Sequence, residues 1–439
     1  MISKQEILDH INLYYGECLS NIHIFKLSII DEIYNISLEI EPSKNDNQHI
    51  SEKYYIKLIV EEYIDKINLY YDRVEKFNKL SQLKLPEQRS PEWFEMRRDK
   101  LTASSFATAL GEDHYNSKFK LIHDKLTNAP HISNIHTEWG TKYEEIATLF
   151  YQLITRTNVV EFGMIPHPDF PIFGASPDGI CDGSGPMEYT ARMLEIKCPT
   201  RREFWMKRNK SKWMPHHYWM QMQGQMEVCD LDECDFLQVK LEEYKNEEEY
   251  KSDILDLSQP LTHEYPNVPG YDTTINGKTK DNLPKGCTIS YKKDGEEKLS
   301  YLYPKLLLSY EESMEWIQDN IKTGINIQEI KWWKITRYEI DLVLRDKKWW
   351  NSVVPKVMSF YDHYVYYQTH MDELEEKVKQ TDKSKEIVIE VPPPEFALCD
   401  SSDEENIKNQ DEENIKNQDE KKDIVLSEYV NNDLPEFAL

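Results

Sequence analysis

Apolar positions recur at helical spacing through the first 85 residues. Ile7, Ile11 and Tyr14 form one stripe, and Ile56, Leu58, Ile59, Tyr63, Ile67 and Tyr70 form a second, longer one. Such spacing predicts helices with one buried face. Asn45–Gln48 interrupts the pattern and Pro86 stops it, since proline neither donates a backbone hydrogen bond nor lets the preceding residue stay helical. Residues 1–88 therefore read as a helical N-terminal extension.

The periodicity then changes. After two helical stretches, strands are expected at 158–165, 172–181, 192–198 and 234–241. Gly174, Gly179, Gly183 and Gly185 punctuate the first three as hairpin turns. A helix near 215–229 separates the last two. The stretch 243–330 opens on acidic Glu247–Glu249 and is rich in Pro, Gly and Asn, with Pro260, Pro266, Pro269, Gly270, Gly277, Pro284 and Gly286. It reads as an insertion with little regular structure, ending in a short helix near 310–323. Alternation returns at Thr336–Leu344, followed by a helix from Trp349 to about Lys379. The expected core is thus 89–242 plus 331–380, an α/β domain with a mixed central sheet flanked by helices.

Residues 381–439 are of another kind. Asp403–Gln410 is repeated at once as Asp411–Gln418, and over 395–439 there are 14 acidic residues against 4 basic ones. High charge with few large apolar residues predicts a disordered acidic tail. Pro394–Leu398 and Pro435–Leu439 are identical, Pro-Glu-Phe-Ala-Leu; they read as a tandem duplication without function, as paired protein-docking motifs, or as part of an acidic tail that lies in a basic groove.

Charge narrows the function. The 439 residues carry a formal net charge of -26, which excludes a protein that coats nucleic acid through overall basicity. It leaves room for an enzyme whose basic residues line one groove. No apolar run approaches the roughly 18 residues of a membrane span, so a soluble, intracellular protein is expected, located in host cytoplasm or at a viral replication site if viral. The seven cysteines are scattered, with no Cys-x-x-Cys, which argues against a disulfide framework or structural zinc site.

The chemistry concentrates in Ser176-Pro-Asp-Gly179 followed by Leu194-Glu-Ile-Lys197. Hydrolysis of a phosphodiester calls for anionic oxygens that hold a hard cation such as Mg²⁺ and for an activated water. An Asp at the end of one strand and a Glu on the next can meet across a hairpin. Glu195 and Lys197, two apart on a strand, share a face, while Ile196 points to the core. The Glu-x-Lys spacing alone carries little. It recurs six times elsewhere, and Glu329/Lys331, beside Trp332 and Trp333, is the serious competitor. Only 194–198 adds an apolar strand, the upstream hairpin and a downstream helix bearing Gln221.

Together these residues resemble the PD-(D/E)xK nuclease superfamily and, within it, the phage lambda exonuclease and YqaJ-like viral recombinase group. The blocks follow in order: Trp93, Arg97 and Leu101-Thr-Ala-Ser104; Trp139-Gly-Thr-Lys-Tyr-Glu144; Ala175–Ile180; Leu194–Pro199; Tyr218–Gln223; and Arg345-Asp346 with Trp349. They cover about 90–240 and 336–367. The resemblance implies a restriction-endonuclease-like core and a Mg²⁺- or Mn²⁺-dependent deoxyribonuclease. It implies Asp178, Glu195, Glu144 and the backbone carbonyl of Ile196 as metal ligands, and Lys197 as the residue that positions or deprotonates water. Arg97 and Ser104 would hold a 5′-phosphate, with Thr102 either beside them or capping the next helix. Gln221 would stand at the site's edge. Glu145, the neighbour of Glu144, reads as solvated, and the register of the block favours Arg97 over its neighbour Arg98. Cys198 reads as a small buried residue.

One further stretch points to DNA without the analogy. Seven basic residues lie between Lys197 and Lys212, among them Arg201, Arg202 and Lys207, with only Glu203 opposing and Phe204, Trp205 and Trp213 interleaved. Such a mixture tracks phosphates and stacks on unpaired bases. The expectation is a 5′-to-3′ exonuclease on duplex DNA ends in viral or phage recombination, repair or replication, partnered with a single-strand annealing protein. Competing readings are an endonuclease on the same core and a DNA-end-binding scaffold without catalysis.

Overall fold

The computed structural model describes residues 2–42, 45–98, 100–113, 116–129, 134–200, 204, 214–296 and 298–389, the last eight by backbone alone. Arg201, Arg202, Lys207, Trp205, Trp213 and both Pro-Glu-Phe-Ala-Leu copies lie outside these residues. The chain divides into Met1–Val378 and Lys379–Leu439. The first unit holds the N-terminal helices and both sheets.

The N-terminal helices form as their stripes predict. They are α1 (Lys4–Tyr15), α2 (Lys26–Ile40) and α3 (Asp46–Ser81), joined by tight 3-10 turns at Gly16–Phe25. Capping boxes start α1 (Ser3/Glu6) and α3 (Asn45/Gln48), each satisfying two of the backbone donors a helix start leaves free. Ile7, Ile11, Ile29, Ile33, Ile56, Val60 and Ile64 close one small core. Helix α3, about 54 Å long at 1.5 Å per residue, continues past that core. Its last turns, with Phe77 and Leu80, pack into the main domain. The expected extension is therefore an outrigger anchored along its final helix.

The main domain begins with α4 (Pro91–Arg98), the two-residue strand β1 (Leu101–Thr102), α5 (Phe106–Leu110), α6 (Lys118–Leu126) and α7 (Ile135–Thr155). Then come β2 (Val159–Val160), β3 (Ile165–Pro166), β4 (Phe173–Ala175), β5 (Gly179–Cys181), β6 (Met193–Lys197), α8 (His216–Cys229) and β7 (Glu233–Glu243). The strands expected at 158–165 and 172–181 are each split in two. β4 pairs with β1 and β3 in a three-stranded sheet, whereas β5 joins β2 and β6 in a larger one. The break falls at Ser176-Pro177-Asp178. Pro177 has no N–H for a ladder, and Ser176 Oγ donates to Gly163 O at 3.1 Å.

The stretch 243–330 is more regular than expected. After α9 (Glu247–Ser252), the strands β8 (Lys285–Lys292) and β9 (Leu299–Leu302) extend the large sheet, and α10 (Tyr310–Lys322) occupies the expected short helix. The next strand, β10 (Asn326–Leu344), starts ten residues before the expected alternation and runs for 19. The large sheet has the order β2-β5-β6-β7-β10-β8-β9. Only β6 and β7 are parallel within it, the pair α8 connects. The expected single C-terminal helix is two, α11 (Lys347–Tyr367) and α12 (Met371–Ile389). His370 Nδ1 and Thr369 Oγ1 both meet Tyr366 O, at 2.9 and 3.3 Å, and such local bonds compete with helix continuation. The backbone of α12 runs on to Ile389, beyond the expected tail boundary at 381.

The sheet is covered on both faces. On one side Met193, Phe236 and Val343 meet α5, α8 and α11. On the other, Leu194, Ile196, Leu237 and Val239 meet Tyr143, Ile146 and Phe150 of α7. Alternation along β6 thus divides its side chains between two cores, and the polar pair Glu195 and Lys197 falls on the α8 side.

Candidate active site

The centre is built on the β5–β6 hairpin. Gly179 pairs with Leu194 across it, so Asp178, one residue before β5, faces the backbone after Leu194. The N–H of Ile196 donates to Asp178 Oδ2 at 2.7 Å. Glu195 is 1% exposed, yet both of its carboxylate oxygens are met. Lys197 Nζ and Gln221 Nε2 donate to Oε1, the latter at 2.8 Å, and Gln225 Nε2 donates to Oε2 at 2.8 Å. A buried carboxylate needs this density of partners to stay in place. Gln221 and Gln225 sit four apart on α8 and share a face.

Glu144 enters from α7. Arg89 Nη2 donates to its Oε1 at 3.1 Å. Burial, then the nearby Glu195 and Glu144 charges, push the Asp178 carboxyl well above its usual range, against the pull of Lys197. Burial likewise raises Glu144, with Arg89 and Lys197 opposing. For Lys197, burial works against the ammonium, but Glu195 and Asp178 outweigh it and hold it charged above its usual value. The centre is therefore three carboxylates around one half-buried ammonium.

These residues open on a cleft of about 890 Å³ bordered by Glu144, Asp178, Ile196, Lys197 and Tyr218, with Arg97 also on its wall. Arg97 Nη2 donates to Ser104 Oγ at 3.1 Å, and its guanidinium lies 5.1 Å from the Trp93 ring centroid. Burial lowers the Arg97 pKa; an arginine keeps its charge through such a shift. Arg98 is exposed and turned to Asn128, at 3.3 Å. Thr102 does not cap with its side chain; its Oγ1 meets the Ser104 and Ser105 hydroxyls at 3.1 and 3.2 Å. Trp93 Nε1 donates to Ser176 Oγ at 2.9 Å, which ties the Arg97 wall to the Ser-Pro-Asp turn. Glu145 is exposed. Burial pushes the Cys198 thiol up, away from thiolate chemistry.

The competing Glu-x-Lys lies elsewhere. Lys331 pairs with Glu329 at 2.9 Å and Glu243 at 3.6 Å on β10 and β7, and neither Glu329 nor Lys331 borders the cleft.

Among the described residues no three His, Cys, Asp or Glu side chains converge on one point as they stand, because Glu195 is turned to Lys197 and the two glutamines. The donor set still fits a hard divalent cation by its chemistry. Asp178, Glu144 and Glu195 are all oxygen donors, and burial, with the Glu195 and Glu144 charges beside it, raises Asp178, a cost that a bound cation would offset. Two parts of the constellation were not anticipated from sequence. Gln225 resembles any polar residue on a packed helix, though its four-residue offset from Gln221 was a usable signal. Arg89 sits in a loop with no pattern around it.

The chain is 31% identical over 352 residues to the uncharacterized protein R354 of Acanthamoeba polyphaga mimivirus, covering 74% of this chain and 60% of that one. It is 30% identical over 118 residues to a protein of African swine fever virus (strain Badajoz 1971 Vero-adapted), covering 26% of this chain and 33% of that one. The chain thus spans less than two thirds of the length of these curated relatives. Among solved structures it is similar to the alkaline exonuclease LHK-Exo of Laribacter hongkongensis, with 19% identity, 66% of this chain and 100% of that one covered, and a TM-score of 0.37. No described helix is long and apolar enough to cross a membrane. Residues 92–232, which hold Arg97, Glu144, Asp178, Glu195, Lys197 and Gln221, match the family model of the YqaJ-like viral recombinase domain.

Proposed function

We propose that this domain is a divalent-metal-dependent DNA nuclease that works as a 5′-to-3′ exonuclease on duplex ends, in the DNA recombination, repair or replication of a virus or phage. The observation that carries the reading is the Asp178–Glu195–Lys197 constellation, of which Asp178 and Lys197 border a cleft whose wall bears Arg97, itself bonded to Ser104. A YqaJ-like viral recombinase domain over the same residues supports it.

In this reading Asp178, Glu144, Glu195 and the Ile196 carbonyl hold Mg²⁺ or Mn²⁺, which when bound supplies charge stabilisation and a more acidic water. Asp178 is oriented by the Ile196 N–H. Glu195 is fixed by Gln221 and Gln225. Lys197 holds its proton next to Glu195 and is aimed to orient the attacking water and to stabilise negative charge developing on the phosphate. Arg97 and Ser104 offer a guanidinium fork and a hydroxyl to a terminal phosphate. An anchored 5′-end sets the strand's register against the carboxylates, which is what distinguishes an exonuclease from an endonuclease on the same core.

Incubating the full chain with end-labelled linear duplex, closed circular duplex and Mg²⁺ tests this. Mononucleotide release from linear ends alone supports the reading. Internal cuts in the circle point to an endonuclease, and binding without cleavage points to a scaffold.

A further inference from the structure

The connector between α3 and α4, residues 82–90, touches the carboxylate centre twice. Gln88 Nε2 donates to the carbonyls of Phe162 at 2.8 Å and Pro177 at 3.2 Å. The Pro177 carbonyl belongs to the peptide that leads into Asp178, so this amide grips the turn just before the metal-binding carboxylate. The next residue, Arg89, reaches Glu144 Oε1 at 3.1 Å. Arg89 does so from φ 66°, the left-handed region that side chains with a Cβ rarely adopt. A glycine there would relieve the backbone, so the guanidinium is what the strained position retains.

The connector is also held upstream and midway. Upstream, Arg73 and Lys76 of α3 pair with Glu233 and Asp232 at the start of β7. Midway, Pro86 lies so close to Gly163 that a Cβ on that glycine would collide with the Pro86 carbonyl. Neither Gln88 nor Arg89 falls in the matched domain, which begins at residue 92.

We propose that Gln88 and Arg89 are positioning residues, a strap through which the N-terminal helices hold the Ser-Pro-Asp turn and Glu144 in the arrangement that binds the cation. The proposal rests on the nuclease reading. It makes the N-terminal extension part of the catalytic apparatus, because α3 fixes the place from which the strap reaches the centre.

The test uses the full chain with Arg89→Gly, Arg89→Lys and Gln88→Ala. Mn²⁺ binding is measured by calorimetry without DNA, and the Mn²⁺ concentration for half-maximal cleavage is measured separately. Arg89→Gly removes the guanidinium and relieves the backbone, so it should melt no lower than wild type. Yet it should bind Mn²⁺ about tenfold or more weakly, the scale expected when a group that orients a metal ligand is lost. Gln88→Ala should shift Mn²⁺ binding the same way, and Arg89→Lys should recover part of the loss. Unchanged Mn²⁺ affinity in both Arg89→Gly and Gln88→Ala overturns the proposal. So does weaker duplex binding with unchanged Mn²⁺ affinity, which would make Arg89 a phosphate contact. A wild type that neither binds Mn²⁺ nor cleaves overturns the nuclease reading itself, whereas a wild type that does both while its variants match it overturns only the strap.

Discussion

The Ile196 N–H and Asp178 Oδ2, 2.7 Å apart, join the two halves of the centre through the backbone of a single strand. The residue that donates this bond lies between Glu195 and Lys197. A one-residue slip in the β5–β6 register would turn both of those side chains into the α7 core. Asp178 therefore reads the register of the strand that carries its partners.

Asp178→Asn should separate stability from activity. The amide oxygen keeps the acceptor for the Ile196 N–H and removes one of three crowded negative charges, the charge that burial and Glu195 make costly. The variant should melt higher without divalent cation, by roughly 1 °C for each ~1 kcal/mol gained, since the unfolding entropy of about 2.1 cal/mol/K per residue grows with chain length. Cleavage should fall by at least about 100-fold, the scale of losing a preorganised electrostatic group. A variant that melts lower, or that keeps most of its activity, contradicts this account of the centre.

Gln225→Ala should cost both. It leaves Glu195 Oε2, in a residue 1% exposed, without its donor. An abandoned buried acceptor costs about 1–3 kcal/mol, readable in urea unfolding. Cleavage should drop about tenfold as Glu195 loses its orientation. Gln221→Ala removes a half-buried donor and should lose comparable activity with a smaller stability change. Equal stability losses for the two variants would argue that burial does not set the difference.

How far the sequence revealed this protein follows from where its signals are local. Helix α8 and strands β6 and β7 were legible because unbroken periodicity ran through them. So was the shared face of Glu195 and Lys197, which alternation alone dictates. β8 was hidden because Pro284 and Gly286 sit at its start and obscure the alternation of Cys287 and Ile289, both fully buried. The first half of β10 was hidden for another reason: Glu329 and Lys331 carry charge into a stretch whose fellow residues pack in a separate small core with Tyr250 and Trp332. Arg89 and Gln88 act through contacts with residues 55 and 89 positions away, and no local pattern encodes that.

Lys331→Ala should leave cleavage unchanged while Lys197→Ala abolishes it. Lys331 is one third exposed and pairs with Glu329 and Glu243, so its loss should cost less than about 1 kcal/mol. An inactive Lys331→Ala with an active Lys197→Ala would move the centre to β10.

A 5′-phosphorylated duplex should be degraded faster than its 5′-hydroxyl counterpart. A hydrogen bond to a charged group is worth about 1.5–3 kcal/mol, roughly a tenfold or greater advantage, and Arg97→Ala should erase most of it. Ser104→Ala should reduce it less, since the hydroxyl carries no charge. Equal wild-type rates on both substrates would remove the end-anchoring role.

Lys278 gives a prediction about pH that lies away from the cleft. It is fully buried, its Nζ donates to the Tyr271 carbonyl and lies 3.7 Å from the Tyr271 ring centroid. Burial lowers its pKa from 10.5 to about 8, against the pull of Asp272. The folded state therefore holds its proton less tightly than the unfolded chain. Between pH 8 and 10.5 the unfolded chain binds more protons at this site, so stability rises with pH there. Below pH 8 the lysine is charged in both states, and the protein carries a constant penalty of up to about 3 kcal/mol, at about 1.4 kcal/mol per tenfold change in proton affinity. Lys278→Met fills similar space without charge. At pH 7 it should be more stable than wild type, and the gap should close as pH rises from 8 towards 10, measured as the difference between paired denaturation curves so that other titrating groups cancel. A gap that stays constant or widens with pH would mean that Lys278 is charged and satisfied in the fold throughout, held by the Tyr271 carbonyl and ring.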